Sequence, residues 1–258
     1  MTIAAEAAAT RLSDARRSGT TIEPFSEADP TLDATWGYEV QDIDRRNRCA
    51  HGENVIGAKL GLTSLAKQRR MGVDTPVVGF STDAMSFAAD RLSAELERWA
   101  QPRIEPEIAF VIARDISGPI TRAEAAAFVE FVTVGAEIID SRFPSYRFGV
   151  ADVIADNTSA AGVVVGLPHQ LSDIDDLAAV QCVVEVNGAV VQQALGSAVL
   201  GDPLQSLVQL SQHLAGRGDT LSAGSVVLGG ALTDAVPLAP DGRYVLRVES
   251  LGAVHVAL

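Results

Sequence analysis

Two glutamates in one short run are the first residues whose spacing could support chemistry. Glu105 and Glu107 flank Pro106 within residues 103–110, Arg-Ile-Glu-Pro-Glu-Ile-Ala-Phe. On a β-strand, residues two apart project from the same face, so the two carboxylates are expected to share a surface. Because proline has no N–H for a sheet ladder, this part of the strand is predicted to lie at an edge or a bulge, where a site could open.

A third carboxylate, Glu137, stands among apolar neighbours in residues 135–141. If it reaches the other two, their repulsion must be neutralised by protons or by a cation, and oxygen-only ligation suits a hard divalent ion such as Mg²⁺ or Mn²⁺. In the alternative interpretation, Glu105 and Glu107 form a solvated edge and Glu137 pairs with an arginine such as Arg142. The spacing leaves both interpretations open.

Lys59 is a lone cation in a glycine-punctuated apolar run, residues 56–63. Its ammonium group either reaches solvent from a strand edge or faces an anionic substrate. The segment 156–159, Asp-Asn-Thr-Ser, either brings backbone and hydroxyl groups to a ligand or forms an ordinary Asx turn. The four histidines lie in unlike contexts and no serine occupies a nucleophile elbow, so triad chemistry is not indicated.

The N-terminal region is predicted to be helical. Residues 4–17 are rich in alanine, and a second helix from about Leu32 would align Leu32, Trp36, Val40 and Ile43 in one apolar stripe. We therefore predict a helical N-terminal region over residues 1–54, followed by a catalytic domain over residues 55–258.

The strands that position the candidate residues are predicted within that second region. Lys59 falls in strand 55–63, the glutamate pair in strand 103–113, and Glu137 in strand 132–141. Between them we predict a short helix over 64–71, an irregular segment over 74–85, and a helix that starts at a Thr121–Glu124 capping box and runs towards Phe131.

The C-terminal part of the sequence has the clearest β pattern. Asn187-Gly188 tolerates positive φ and predicts a two-residue hairpin turn between strands 182–186 and 189–193. Asp202-Pro203 is typical of a helix start, and strands are predicted over 225–232, 244–249 and 253–258. The fold class is α+β, with a largely antiparallel or mixed sheet.

Composition excludes several classes of function. The chain of 258 residues has 20 Lys and Arg against 33 Asp and Glu, a net charge of -13 that disfavours nucleic acid as a partner. Two distant cysteines give neither a disulfide framework nor a zinc site, which favours a reducing cytoplasm. No secretory signal is apparent, and no apolar window approaches the roughly 20 residues needed to span a bilayer, so no membrane association is expected.

Several ordered motifs resemble one family. They are residues 57–64 (Gly-Ala-Lys-Leu-Gly-Leu-Thr-Ser), 71–74 (Met-Gly-Val-Asp), 82–85 (Thr-Asp-Ala-Met), 101–110, 137–142, 155–159, 186–188, 200–204 and 251–252. From about residue 30 onward, the sequence resembles the hydratase/decarboxylase branch of the fumarylacetoacetate hydrolase superfamily. The resemblance implies a mixed β-roll core with a helical N-terminal cap.

The resemblance also implies a site and its chemistry. A magnesium ion would be held by Glu105, Glu107 and Glu137 and would act as a Lewis acid on the carboxylate and 2-oxo group of a 2-oxo acid substrate. Lys59 matches the family's active-site lysine. The Leu60 amide and Ser159 are implied substrate contacts, and Asp83 is a candidate for proton handling.

Two activities share this framework: 4-oxalocrotonate decarboxylase and 2-hydroxypenta-2,4-dienoate hydratase, both of meta-cleavage aromatic catabolism. Residues 148–157 and 159–162 are more similar to the decarboxylases, whereas Gly229 replaces a hydroxyl residue expected in many hydratases. A decarboxylase is therefore predicted. The alternatives are the hydratase and a non-catalytic partner subunit. The resemblance further implies self-association and a complex with the pathway hydratase.

Overall fold

Eight α-helices and eleven β-strands lie within residues 3–258, the part of the chain that the computed structural model describes. The helices are α1 (Ala5–Ser18), α2 (Phe25–Ala28), α3 (Ala34–Ala50), α4 (Leu65–Met71), α5 (Leu92–Glu95), α6 (Arg122–Ala125), α7 (Val150–Ala155) and α8 (Gln205–Arg217). The strands are β1 (Val55–Gly61), β2 (Val77–Thr82), β3 (Arg103–Ile112), β4 (Val129–Ile139), β5 (Ala160–Val165), β6 (Gln181–Val186), β7 (Ala189–Leu195), β8 (Val226–Ala231), β9 (Val236–Pro237), β10 (Arg243–Val248) and β11 (Gly252–Ala257).

The strands form two sheets. The larger has the order β2-β1-β8-β3-β4-β5, with β9 pairing to β3, and the smaller has the order β11-β10-β6-β7. In the larger sheet β1 and β8 run parallel and the other pairs are antiparallel. The predicted α+β class with a mixed β-roll core is confirmed, as is the hairpin at Asn187-Gly188 between β6 and β7.

Alternation along β3 separates the core from the candidate site. Ile104, Ile108 and Phe110 are buried in the apolar core that the two sheets share. Burial of such a side chain contributes about 1.5 to 3 kcal/mol. Since successive side chains point to opposite faces, Glu105 and Glu107 project from the other side of the same strand.

The helical N-terminal segment packs through the predicted apolar stripe. Val40 and Ile43 of α3 are buried against alanines of α1, and Leu32 and Trp36 pack at the border of the same cluster. The carboxylate of Asp33 accepts a hydrogen bond from the Trp36 N–H at 3.0 Å and caps the start of α3. The division of the chain at residue 54 stays a prediction.

The irregular segment predicted over residues 74–85 is wrong, because it contains β2. Val77–Thr82 pairs with β1 along its whole length. Gly79 interrupts its apolar pattern for a tertiary reason: a Cβ there would overlap the Thr158 hydroxyl oxygen. A close approach of another segment therefore weakened the local strand signal.

Two further details differ from prediction. The helix expected to run towards Phe131 is α6, which ends at Ala125 and continues as a 3-10 turn to Phe128. Strand β4 begins at Val129, and Phe131 pairs with Val111 of β3. Pro106 does not lie on an edge strand, since β3 has β4 on one side and β8 and β9 on the other. The predicted bulge is present instead as a register shift between Glu107 and Ala109 against β8.

Two structural observations bear on the predictions about membrane association and about the cysteines. Within residues 3–258, no helix combines the length and the apolar character needed to cross a membrane. Cys49 is exposed and Cys182 buried, and both are free thiols.

Candidate active site

Strand register brings the three predicted carboxylates together. Glu105 of β3 lies directly opposite Glu137 of β4, and Glu107 lies opposite Gly135, which offers no side chain to separate them. Each glutamate has a carboxylate oxygen within 4.8 Å of the others. All three side chains are nearly or fully buried, with Glu107 at 0% and Glu137 at 1% exposure. The solvated edge considered for Glu105 and Glu107 is therefore wrong.

Lys59 is the cation at this cluster. It projects from β1, is 3% exposed, and its Nζ forms an ion pair with Glu137 Oε2 at 3.1 Å. The same ammonium donates a hydrogen bond to the Thr158 carbonyl at 3.2 Å. Arg142 instead pairs with Asp156, so the predicted alternative partner for Glu137 is wrong. The snorkelling alternative for Lys59 is wrong as well.

The cluster holds more negative charge than Lys59 can compensate. Glu107 Oε2 accepts a hydrogen bond from the Gly230 N–H at 2.7 Å, but Glu107 Oε1 and both oxygens of Glu137 have no hydrogen-bond partner. Gly230 has φ +119, and a Cβ there would overlap Thr63, so only glycine allows this approach of the amide. Buried oxygens of this kind are normally satisfied by a cation, a proton or an ordered water, and the excess negative charge here favours a cation or proton.

The pKa directions express the same imbalance. Burial, then the neighbouring Glu137, raises the pKa of Glu107 well above its usual range. Burial raises the pKa of Glu137 to about 7, although Lys59 acts in the opposite direction. For Lys59, burial lowers the pKa, but the three carboxylates outweigh it and raise the pKa above its usual value. The lysine therefore stays charged and the carboxylates are short of positive charge.

This donor set fits a hard divalent cation. Three carboxylates supply oxygen-only ligation, and the partnerless oxygens are on Glu107 and Glu137, two of the three predicted ligands. The assignment of Glu105, Glu107 and Glu137 as the ligands is a proposal that this geometry supports.

A cavity of about 130 Å³ opens beside the cluster. Its walls are formed by Lys59, Leu60, Gly61, Leu62, Thr63, Lys67, Val77, Glu105, Ile139, Tyr146, Phe148, Val153, Thr158, Ser159 and Ala231. The predicted contacts Leu60 and Ser159 are both in this wall. The Ser159 hydroxyl is buried without a hydrogen-bond partner, which leaves it free to bind a ligand.

The segment 157–159 forms a strained turn over this cavity. Asn157, Thr158 and Ser159 all have positive φ, at 47°, 54° and 60°. Strain of this kind is costly for residues other than glycine and is held here by the Asn157 amide, which accepts from the Phe80 N–H and donates to the Phe80 carbonyl, both at 2.9 Å. The turn presents the Thr158 carbonyl to Lys59. A carbonyl exists in every residue, so no sequence signal could have identified it.

Asp83 is not brought to the site. It is exposed, its carboxylate accepts hydrogen bonds from the main-chain and side-chain nitrogens of Asn54, and it does not line the cavity. These hydrogen bonds lower the pKa of Asp83. The predicted role in proton handling lacks the contact that it would need. Conversely, Lys67, which lies in the short helix predicted over residues 64–71 and was not predicted as a site residue, lies in the cavity wall.

Comparison with known proteins places this fold and site in one family. The fumarylacetoacetate (FAA) hydrolase C-terminal family model matches residues 53–257. The chain therefore belongs to the fumarylacetoacetate hydrolase family.

Individual relatives show to which branch of the family this chain belongs. A 4-oxalocrotonate decarboxylase from Pseudomonas sp. (strain CF600) is 37% identical over 87% of this chain and 85% of the relative. A 2-keto-4-pentenoate hydratase from Paraburkholderia phymatum is 35% identical over 98% and 96% of the two chains. The solved 4-oxalocrotonate decarboxylase from Pseudomonas putida G7, complexed with magnesium and adipate, matches with a TM-score of 0.91 at 34% identity, covering 98% of this chain and 96% of that chain. This chain is thus an enzyme of the hydratase/decarboxylase branch, as its motifs predicted.

Proposed function

We propose that this enzyme is a magnesium-dependent decarboxylase that converts 4-oxalocrotonate (2-oxo-3-hexenedioate) to 2-hydroxypenta-2,4-dienoate. The observation that carries the proposal is the buried cluster of Glu105, Glu107 and Glu137, in which oxygens of Glu107 and Glu137 lack hydrogen-bond partners and Glu105 lines a cavity beside Lys59. The decarboxylase relatives, one of them solved with magnesium, support the same reaction. Mn²⁺ is a chemically reasonable substitute.

The reaction breaks the C5–C6 bond and releases the C6 carboxylate as carbon dioxide. The electron pair of that bond moves through the conjugated carbons to the C2 oxygen, which becomes an enolate oxygen and then accepts a proton. A divalent cation held by the three glutamates supplies Lewis-acid polarisation of the 2-oxo group. Because no covalent nucleophile is needed, the protein's task is to orient the substrate and to stabilise developing charge.

The chain's own residues fit these tasks. The Lys59 ammonium, held by Glu137 and the Thr158 carbonyl, adds fixed positive charge where the enolate oxygen forms. The Ser159 hydroxyl can donate to the head of the 2-oxo acid. Beyond the cluster, Leu62, Val77 and Val153 make an apolar wall that limits access of water to the dienolate.

The solved decarboxylase, which matches 98% of this chain with a TM-score of 0.91, supports decarboxylation as the first candidate. The hydratase remains the second candidate because hydratase relatives cover almost the whole chain.

Product analysis tests the proposal. Purified enzyme with Mg²⁺ should release carbon dioxide from 4-oxalocrotonate, and exhaustive chelation should abolish the release until Mg²⁺ is restored. Turnover of 2-hydroxypenta-2,4-dienoate without decarboxylation would establish the hydratase instead. Turnover of neither substrate by the metal-loaded protein would favour a non-catalytic subunit.

Cellular context is part of the same proposal. Two free cysteines are compatible with a cytoplasmic enzyme. Exposed Val190, Val191 and Leu195 on the edge strand β7 support self-association, and the resemblance supports pairing with the pathway hydratase.

A further inference from the structure

The two lysines of this chain converge on one cavity. Among 20 lysines and arginines only Lys59 and Lys67 are lysine, and both line the cavity described above. They differ in exposure, because the Lys59 side chain is 4% exposed and that of Lys67 is 37% exposed. One lysine therefore lies at the inner end of the cavity, beside the carboxylate cluster, and the other lies towards solvent.

We propose that Lys67 binds the distal carboxylate of a dicarboxylate substrate and so selects dicarboxylates over monocarboxylates. The inference rests on the proposed function, which requires a 2-oxo acid with a second carboxylate at its far end. It assigns to Lys67 the part of the substrate that distinguishes the decarboxylase substrate from that of a hydratase.

Local structure holds Lys67 at the cavity. The chain turns at Leu62, which has φ 57°, and the Leu62 carbonyl accepts a hydrogen bond from the Gln68 side chain at 2.9 Å. The Ser64 hydroxyl accepts from the Lys67 N–H at 3.2 Å and caps α4. These contacts fix the first turn of α4 directly after the strand that carries Lys59.

Of the two lysines in the cavity wall, Lys67 is the one whose charge is available to a distal anion. Lys59 is committed to the carboxylate cluster, whereas the Lys67 Nζ lies 3.7 Å from Asp234, a side chain that is 84% exposed. An ion pair this exposed contributes little, so a substrate carboxylate can replace Asp234 at small cost. Once carbon dioxide has left, the distal anion is gone and Asp234 is available again to the ammonium group.

The reaction chemistry predicts which kinetic parameter the contact between Lys67 and the distal carboxylate affects. The distal carboxylate is the group that leaves, so an ammonium bound to it stabilises the ground state more than the transition state. Loss of Lys67 should therefore raise KM for the dicarboxylate without lowering kcat. A residue needed only to position the chemical groups would lower kcat.

Two matched ligands test this directly. 2-Oxoadipate and 2-oxohexanoate share the 2-oxo acid head and chain length and differ only in the distal carboxylate. Calorimetry on the magnesium-saturated enzyme should show about tenfold tighter binding of 2-oxoadipate, the effect of one charge-assisted hydrogen bond at partial exposure. Lys67→Met should remove this preference and leave 2-oxohexanoate binding unchanged, and Lys67→Arg should retain most of it.

Variants on the same surface provide controls. Arg70→Met removes an exposed cation of α4 that does not line the cavity, and it should leave the preference intact. Asp234→Asn removes the competing anion and should increase the preference up to about threefold. If Lys67 served only the surface ion pair, Lys67→Met and Asp234→Asn would have the same effect rather than opposite effects.

The outcomes separate this inference from the proposed function. If both ligands bind equally to the wild type, or if Lys67→Met keeps the preference, the role of Lys67 is overturned while magnesium-dependent binding of both ligands still supports the site. If neither ligand binds to the magnesium-saturated enzyme, the proposed function fails and this inference fails with it. Acetylation mapped by mass spectrometry adds a second readout, because 2-oxoadipate should protect Lys67 better than 2-oxohexanoate.

Discussion

Two regions of this molecule bury charge, and they do so in opposite ways. The carboxylate cluster comprises Glu105, Glu107, Glu137 and Lys59. The arginine cluster, which borders a cavity of about 550 Å³ beside α1 and α3, comprises Arg16, Arg48, Arg142, Asp44 and Asp156.

In the arginine cluster the carboxylates are well paired. Asp44 accepts hydrogen bonds from Arg16 at 2.7 Å and from Arg48 at 3.0 Å. Burial opposes ionisation of Asp44, but the two arginines outweigh it and lower its pKa. Arg142 donates to the Asp156 carboxylate through its Nε and its main-chain N–H, and to the Asp156 carbonyl at 2.9 Å. Each carboxylate here has an arginine partner from the fold, although burial still raises the pKa of Asp156 to about 6 and Arg48 Nη2 lacks a hydrogen-bond partner.

In the carboxylate cluster three acids share one lysine. Three of their oxygens have no hydrogen-bond partner, and one of these, Glu137 Oε2, is ion-paired with that lysine. The cavity beside it is the smaller of the two, at about 130 Å³ against about 550 Å³. Cavity size therefore does not identify the functional site. The difference teaches that uncompensated buried charge marks a binding site, whereas buried charge with internal partners supports structure.

The largest effect should come from reducing the charge of the carboxylate cluster. Glu107→Gln removes a proposed ligand while its remaining oxygen can still accept from the Gly230 N–H. Decarboxylation should fall about a thousandfold, since Lewis-acid stabilisation is worth several kcal/mol. Steady-state kinetics and Mg²⁺ calorimetry would measure the loss.

The same variant should be more stable than the wild type without metal. Because Glu107 is a buried acid among like charges, Glu107→Gln should raise the free energy of unfolding in chelator at pH 8 by about 1 kcal/mol. Glu249→Gln, which changes an exposed acid, is the control. Unchanged activity, or lower stability of the metal-free variant, would contradict the contrast between the two clusters.

The next largest effect should be a loss of stability when one partner is removed from the arginine cluster. Arg142→Met leaves the buried Asp156 carboxylate without its cation, which should lower the free energy of unfolding by about 3 kcal/mol or more. Denaturant unfolding would measure it. Arg122→Met, which breaks the exposed pair with Asp202, should cost less than about 1 kcal/mol. Equal losses for the two variants would show that burial of the pair does not matter.

The smallest effect should come from the residue that joins the two clusters. Asn157 follows Asp156 and fixes the turn that presents the Thr158 carbonyl to Lys59. Asn157→Ala should lower kcat about tenfold through misplacement of Lys59 while Mg²⁺ affinity changes little. Asn187→Ala, at another asparagine of positive φ in the β6–β7 hairpin, should change stability only. A normal kcat in Asn157→Ala would show that the turn does not position Lys59 for the reaction.

Much of this protein could be read from local pattern. Period-two alternation placed Glu105 and Glu107 on one face of β3. Local motifs predicted the hairpin at Asn187-Gly188 and the capping box of Thr121 and Glu124 at the start of α6. These features depend on neighbours a few residues apart, which sequence spacing reports directly. The family motifs supplied the third glutamate and Lys59 as members of the same site.

Features that depend on contacts between distant segments could not be predicted from residue spacing. The strand β2 was missed because its central residue is a glycine, which the close approach of residues 157–158 requires. Asp83 was assigned to the site, but its carboxylate instead binds Asn54. Whether Glu137 met Arg142 or Lys59 was decided by strand register, since β1 and β8 bring Lys59 across the sheet. The sequence by itself determined which residues face together along each strand. Only the tertiary structure decided which faces meet, because burial and charge compensation are properties of the assembled sheets.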